Sequence, residues 1–458
     1  MRDLTTGPIA RHLVGMAAFI VVGLIVQTLY FLVDLYFVAH LGVAAVAGVS
    51  SAGSSTFIVM AASQLVAVGA LSLISQAVGR KDEADAQLVF DQAMSLSLLM
   101  GVITLLLGYT VGMAGVRALG ADPATGVMGQ AYLAAFLPSL AMMFPLAAMG
   151  SALRASGVVA SPMIVQSLTV ALNAVLAPVF VAGWVTGYPL GVAGAGIAST
   201  IATVAGVVAF AARFNRMQRH LHLHAFRLAP RLVVWRRIAA VGVPAAGELL
   251  MMFVISSSAF WIIRDFGTQA QAGFGIASRV MQSIFLPAMA VAFAAAPIAG
   301  QNFGAKLPDR VRATFYHSAL IGSVFMLFLT LLCQIKPQAL IYPFSREPAV
   351  VAVAVEYLQI SSWNFVAIGL VFACSGMFQA LGDTRPALLS STGRMLTFVF
   401  PALWLSRQSN IRLHDFWYLS VASVTIQAVI SLSLLRLQMR KKLTFSMPSV
   451  NTAAVETL

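Results

Sequence analysis

The chain has 458 residues, of which 60% are hydrophobic and 9% charged, with a formal net charge of +13 and a mean hydropathy of +0.89. Apolar runs of 20 or more residues recur along it, each long enough to cross a hydrocarbon core of ~30 Å as a helix, which excludes an ordinary soluble domain. Barrel strands would be about ten residues long with strict alternation, and no such pattern occurs, so the chain is read as an all-α polytopic membrane protein whose spans close their own backbone bonds.

Twelve spans are predicted, at residues 13–38, 45–75, 88–113, 127–153, 162–184, 191–212, 236–262, 270–298, 313–334, 351–378, 387–405 and 415–436. The N-terminal MRDLTTGPIARH leads into a first span too long for the apolar core of a cleavable signal, with no small-residue cleavage pattern after it. That span carries Asp34, one of only 15 acids in the chain. An ionised carboxylate at bilayer depth costs ~2.5–3.5 kcal/mol, so an acid there is read first as functional, a group able to load and release a proton as its surroundings alternate between wet and dry. Gln27, Tyr30 and Asp34 share one helix face at spacings of seven and four, where the first two could hydrogen-bond the carboxyl in either protonation state. The competing reading is an acid near the helix end that reaches the aqueous interface, since the span ends at about Val38.

Asn173 lies in the fifth span, with Thr169 one turn before it, and Thr200 lies in the sixth. In lipid such residues serve as ligands or as hydrogen-bonding links between helices. Residues 213–235 form the longest polar stretch, strongly basic, and read as a connector between two halves. His220, His222 and His224 share a side of that connector only if it is extended, and no acid or cysteine accompanies them, so no metal site is expected. Glu248 lies 12 residues past Arg236, about 18 Å along a helix, and therefore near mid-membrane, with Pro244 and Gly247 expected to loosen the helix around it. Arg279 and Arg394 are intramembrane cations, either of them a candidate structural or charge partner for Glu248. Cys333 and Cys374 have neither metal-ligand nor disulfide spacing and are read as small core hydrophobes.

With twelve spans, both termini share a side with the loops that follow even-numbered spans. That side carries 20 of the Lys and Arg residues and the opposite side six, Arg279 and Arg394 being the remainder. The positive-inside rule then places both termini in the cytoplasm. The basic residues are spread over seven segments, so the charge is assigned to topology and anionic-lipid contact, and no nucleic-acid partner is expected.

The sequence also resembles itself at an offset of 225 residues. LGVAAVAG (41–48) lies over FGTQAQAG (266–273), and SQAVGRKDEADA (75–86) over GQNFGAKLPDRV (300–311), with Gln76/Gln301, Gly79/Gly304 and Lys81/Lys306 shared. Tyr132-Leu133 lies over Tyr357-Leu358, and Ala155 and Gly157 over Ala380 and Gly382; one residue then drops out, so that Pro162 faces Pro386. Halves of six spans each keep the same orientation, which makes the repeat parallel, about an axis along the membrane normal. The expected domains are an N-lobe (1–212), the basic linker (213–235), a C-lobe (236–440) and a tail (441–458). Asp34 has no counterpart acid, its equivalent being Ala259.

VDLYFVAHLG (33–42), SQAVGR (75–80), GVAGAGIAST (191–200), GQNFGA (300–305) and FQALGDTRP (378–386) resemble, in order and spacing, the multidrug and toxic compound extrusion (MATE) transporters, and most of all their DinF-like bacterial branch. The resemblance covers about residues 8–440. It implies two six-helix lobes around a cleft and export of cationic or amphipathic compounds, coupled to inward flow of protons or sodium. It also implies that Asp34 is the cation-coupling carboxylate of the N-lobe, that Glu248 matches an acid of the seventh span, and that Asn173 and Thr200 form a polar pocket facing Asp34. Two departures are visible. Ala177 stands where many members carry an Asp in the fifth span, and Ala367–Ala373 lacks the acid that some sodium-coupled members carry in the tenth.

The expected function is therefore a secondary active efflux antiporter, proton-coupled in preference to sodium-coupled, acting as a monomer in the cell inner (plasma) membrane without a cofactor. The alternative is a flippase of lipid-linked saccharide, which would need several cations in the cleft where only Arg279 and Arg394 are candidates. A membrane-embedded transferase would need paired carboxylates at the interface. The one acidic cluster, DEAD (82–85), is not retained in the second repeat, so no enzyme is expected.

Overall fold

Lipid offers no partner to a backbone amide, and the apolar runs accordingly fold as helices that close their own hydrogen bonds. The computed structural model describes residues 3–119, 123–185, 187–216, 222, 229–408 and 412–444; within its helices the side chains of residues 30–32, 34, 35, 43, 54, 119, 215 and 216 are outside the description. The first half comprises α1 (Ile9–Ala39), α2 (Val43–Gly79), α3 (Glu83–Leu107), α4 (Met113–Leu119), α5 (Pro123–Ala155), α6 (Ala160–Val181) and α7 (Gly191–Arg216). A π turn at Gly108–Gly112 joins α3 to α4. The second half comprises α8 (Leu232–Ile263), α9 (Thr268–Gly304), α10 (Pro308–Ile335), the short α11 (Pro337–Ile341), α12 (Pro348–Ser361), α13 (Phe365–Ala380), α14 (Arg385–Leu405) and α15 (Leu413–Lys442). Among the described residues, 12 helical segments are long and apolar enough to cross a membrane, α3 with α4 and α12 with α13 each making one span.

Two expectations need correcting. The tenth span is not a continuous helix, because a 3-10 turn at Ser362–Asn364 divides it. Polar groups of α10 take the carbonyls freed there: Thr330 donates to Ser362 O at 2.9 Å, and Gln334 Nε2 to Gln359 O at 2.6 Å. In contrast, α8 runs unbroken through Pro244 and Gly247, where loosening was expected.

The 225-residue offset is written in the backbone. α2 and α9 are each 37 residues long and start and end in register. Gly42 and Gly267 precede them at φ 104°, ψ 174° and φ 95°, ψ 170°, a region essentially confined to glycine. Beyond their C-termini Lys81 and Lys306 both adopt positive φ, 60° and 58°. The amides of Asp82 and Leu307 reach back to Ala77 O and Asn302 O in the same pattern.

Each half forms a lobe. In the first, α5 packs between α2 and α7, and Phe90 stacks on Phe214 at 4.8 Å within a core that also buries Phe144, Leu133 and Leu140. In the second, α9 packs on α13, α10 and α12 around Met326, Leu358 and Phe365. The lobes meet along α1 with α9 and α2 with α8. Small residues permit that approach: Gly69 lies against the backbone of Ile238, Gly242 against that of Leu65, and Ala290, Ala294 and Ala295 face Leu13, Met16 and Ala17.

Candidate functional site

The lobes touch at one end through the repeat motifs. Gln76 Nε2 of the first lobe donates to Ala380 O of the second at 2.9 Å, and Gln301 Nε2 of the second donates to Ala155 O of the first at 2.8 Å. Donors and acceptors are both 225 apart. Beside them Gly79 rests on the Gln301 carbonyl and Gly304 on the Gln76 carbonyl, so closely that a Cβ on either would overlap the oxygen. Gly300 faces the side chain of Ser75. The inter-lobe hydrogen bonds of Leu4, Gln76, Arg237, Gln301, Asn302 and Arg310 all lie at this end, where the basic loops gather.

Two further stretches reach the same end: residues 3–8 on the second lobe, and residues 222 and 229–231 of the linker on the first. Ahead of α1, Leu4 N donates to Gln301 Oε1 at 3.0 Å, and Leu4 O accepts from Asn302 Nδ2 at 3.1 Å and Arg310 Nη2 at 3.3 Å. Ahead of α8, Gln87 and Gln92 of α3 hold the linker through their side-chain amides. Gln87 bonds both His222 N and His222 O, and Gln92 bonds Ala229 O and Arg231 N. The linker histidines His220 and His224 lie outside the described residues.

The acidic cluster of residues 82–85 also serves closure. Asp82 caps α3 by accepting from Asp85 N at 3.0 Å, and Asp85 pairs with Arg80 at 2.8 Å and with Arg237 of the second lobe at 3.1 Å. Arg310 stands at the position of Asp85 in the second repeat and holds the N-terminal strap. At these equivalent positions the two halves thus carry opposite charge.

Further along the contact of α2 with α8, Phe57 stacks on Phe253 at 4.3 Å. Asp34 belongs to α1, five residues before its end at Ala39, about 7.5 Å by helix rise; its side chain and that of Tyr30 lie outside the described residues. Gln27 is half-buried. Asn173 is fully buried; its Nδ2 donates to Ser199 Oγ at 3.0 Å, and its Oδ1 has no partner. Thr200 turns instead to Ala135 O at 2.7 Å, and Thr169 to Val165 O of its own helix. Ser139 and Thr203, 2.8 Å apart, extend this polar row.

Glu248 sits at the middle of the 32-residue α8 and accepts a hydrogen bond from Ser375 Oγ of α13 at 3.0 Å. The expected pairing with Arg279 or Arg394 is not formed. Arg279 stands exposed on α9, and Arg394 on α14 has only Tyr357 as an electrostatic neighbour among the described residues. Sequence reasoning missed Ser375 and Ser199, since a serine in an apolar helix more often satisfies itself on a carbonyl one turn back, as Ser258 does on Val254 O. It also missed the inter-lobe hydrogen bonds of Gln76 and Gln301, whose only signal was their recurrence at the repeat offset. Cys333 and Cys374 are free and buried, as expected.

Comparison with known proteins completes the description. A family model described as MatE matches the chain twice, over residues 20–179 and 244–404. The chain is similar to the "Probable multidrug resistance protein YoeA" of Bacillus subtilis (strain 168), 24% identical over 388 residues and 82% of each chain. It is similar as well to the "Multidrug export protein MepA" of Staphylococcus aureus (strain NCTC 8325 / PS 47), 23% identical over 386 residues, 83% of this chain and 84% of that one. Among solved structures, one described as the "Outward-facing conformation of a multidrug resistance MATE family transporter of the MOP superfamily" superposes with a TM-score of 0.88 at 21% identity, covering 96% of this chain and 98% of the other. A second, from Pyrococcus furiosus, is described by the "Reverse polarity of binding pocket" of a MOP superfamily transporter and superposes equally well. At these identities the structural likeness concerns the fold.

Proposed function

The chain belongs to the MatE family of membrane transporters, and from that premise we propose that it is a secondary active antiporter exporting lipophilic, mainly cationic small molecules in exchange for protons. The observation that carries the proton is the setting of Glu248. Its described partner is one neutral hydroxyl, Ser375 Oγ at 3.0 Å. A guanidinium partner would hold the carboxyl ionised, whereas a hydroxyl can donate to a carboxylate or accept from a carboxylic acid. A bare cation needs several oxygen ligands gathered together, and the fifth-span position where many relatives carry an acid is the fully buried Ala177.

Asp34 is the first-lobe coupling acid in this reading. It exchanges its proton with substrate, and Gln27, Tyr30, Asn173 and Thr200 are assigned to the same polar pocket, to which Ser199 is added as the partner of Asn173. The buried Oδ1 of Asn173, without a partner, is the acceptor a protonated carboxyl would need. The lobes, residues 1–212 and 236–440, rock about the contact of α1 and α2 with α9 and α8, and the basic end faces the cytoplasm as a monomer sits in the inner membrane. The names of the relatives, multidrug export and resistance proteins, support the substrate class.

Proteoliposomes loaded with a fluorescent lipophilic cation test the proposal, with a pH gradient or a sodium gradient imposed separately. The pH gradient is expected to drive transport, Asp34→Asn to abolish it, and Glu248→Gln to reduce it. Transport driven by sodium alone, or full activity in Asp34→Asn, would refute the coupling scheme. A protein inert to both gradients would favour the flippase.

A further inference from the structure

Residues 3–8 run into α1 and so belong to the first lobe, yet their hydrogen bonds go to the second. Leu4 is fully buried. Its amide donates to Gln301 Oε1 at 3.0 Å, and its carbonyl accepts from Asn302 Nδ2 at 3.1 Å and Arg310 Nη2 at 3.3 Å. Arg310 Nη2 also donates to Gly7 O at 3.0 Å, and its Nε fixes Asn302 by donating to Oδ1 at 2.8 Å. The Leu4 side chain joins a buried apolar cluster that takes Leu13, Val159 and Met163 from the first lobe and Ala294 and Ile298 from the second. The return into α1 is pinned by Gly7 at φ 75° and by His12 Nε2, which donates to Thr6 O at 2.8 Å.

Two features tie this segment to the meeting of the lobes. The first is that Gln301 is shared. While its Oε1 receives the Leu4 amide, its Nε2 donates to Ala155 O of the first lobe at 2.8 Å. A donor on one side and a carbonyl on the other leave only one orientation of that side-chain amide, so the segment aligns the group that bonds across the lobes. The second is that the seat is one-sided. At the repeat offset, Asn302 and Arg310 correspond to Ala77 and Asp85, neither of which has a side chain that can donate to a backbone carbonyl.

We propose that residues 3–8 are an intrachain latch: they hold the basic ends of the two lobes together and are released before that end can open. The inference rests on the rocking of the lobes proposed above, and not on which ion drives it. When the basic ends part, α1 travels with the first lobe while Gln301, Asn302 and Arg310 travel with the second. The segment then loses its three anchors, and Leu4 loses an apolar seat built from both lobes. Release of the latch and separation of the lobes are one coupled equilibrium, so a change made in either is read in the other.

The test uses the full-length protein in nanodiscs, with no ion gradient and no transported compound. Opening is read by labelling a Ser75→Cys reporter with a water-soluble maleimide, since Ser75 is fully buried against Gly300 of the opposite lobe. Leu4→Ser should speed labelling about tenfold, the weight of much of one buried leucine. Arg310→Gln should speed it as well, and Leu4→Met should keep the parent rate. In the other direction, Gly242→Ala sets a Cβ against the Leu65 carbonyl, between the lobes and away from the latch. It should quicken both labelling of the reporter and hydrogen exchange across residues 3–8. Parent-like labelling in both Leu4→Ser and Arg310→Gln would overturn the latch alone. So would unaltered exchange in Gly242→Ala when its reporter is labelled faster. A reporter that stays unlabelled in every variant would refute the rocking of the lobes, and the latch with it.

Discussion

Gly42 and Gly267 hold backbone conformations that a side chain resists, and they do so at the two places where a short turn must aim a 37-residue helix at the other lobe. Nothing lies within 4 Å of a Cβ at either position, so the cost of a side chain there is purely conformational, about 1–3 kcal/mol. Gly42→Ala and Gly267→Ala should therefore lower the thermal midpoint by similar amounts, and the double variant by about their sum, since the sites share no partner. At this scale the sequence was partly readable. Asp34 and Glu248 stood out because charge in an apolar run is rare. Ser375 and Ser199 did not, because a hydroxyl acquires meaning only from the helix facing it. Arg394 was visible as an anomaly, but Tyr357, its electrostatic neighbour among the described residues, comes from a separate helix that only folding brings near.

Helices were legible almost throughout, because the period of apolar residues and the length of a bilayer crossing leave few alternatives. The exception is the tenth span, whose break follows from α10: Thr330 and Gln334 offer donors to carbonyls that a continuous helix would have kept for itself. The ends of α2 and α9 carry the element-scale prediction. Replacing Gly79 and Gly304 by Ala gains roughly 1 kcal/mol of helix propensity at each position, yet sets each new Cβ against a carbonyl of the opposing helix. Overpacking of that kind costs about 1–3 kcal/mol, and it falls only on the conformation in which the basic ends touch. Ser75 is fully buried against Gly300 in that conformation. A Ser75→Cys reporter should thus be labelled by a water-soluble maleimide several-fold faster in the double alanine variant than in the parent. The native thiols, both buried, add little background. Unchanged labelling would show that the glycines do not govern closure.

For the whole molecule, the internal repeat announced two lobes of like orientation, and the backbone repeats that symmetry to within a few degrees at Lys81 and Lys306. The exchange of straps was not readable, because the segments ahead of α1 and α8 share no residues that mark what they will cover. The strap of residues 3–8 joins the lobes and responds to acid. Thr5 donates its hydroxyl and its amide to the Asp3 carboxylate, bonds that hold this carboxyl below its ordinary range. A depressed value in the folded state means that the contribution is complete above the ordinary carboxylate range and is lost as pH falls through the lowered value. Asp3→Asn reproduces the protonated form at neutral pH, and hydrogen exchange across residues 3–8 should then quicken without change in the helices. Equal exchange in the two proteins would place the strap's hold on Gln301, Asn302 and Arg310.

The reciprocity of the closed end has a further consequence. Gln76 reaching Ala380 and Gln301 reaching Ala155 obey the rule of an isologous interface, in which one patch meets its own copy about a two-fold axis and residue i touches j wherever j touches i. Contacts of that form need no difference between the partners. A single six-span polypeptide carrying one glutamine, one glycine and one receiving carbonyl could already make this pair of contacts, provided that two copies lay side by side. Joining two such copies in one chain adds nothing to the glutamine contacts, whereas the Asp85–Arg237 pair and the Arg310 contact with the N-terminal segment exist only once the halves differ. It freed each copy to diverge elsewhere, so that one lobe could keep an acid at position 34 while the other placed Ala259 there and acquired Arg394.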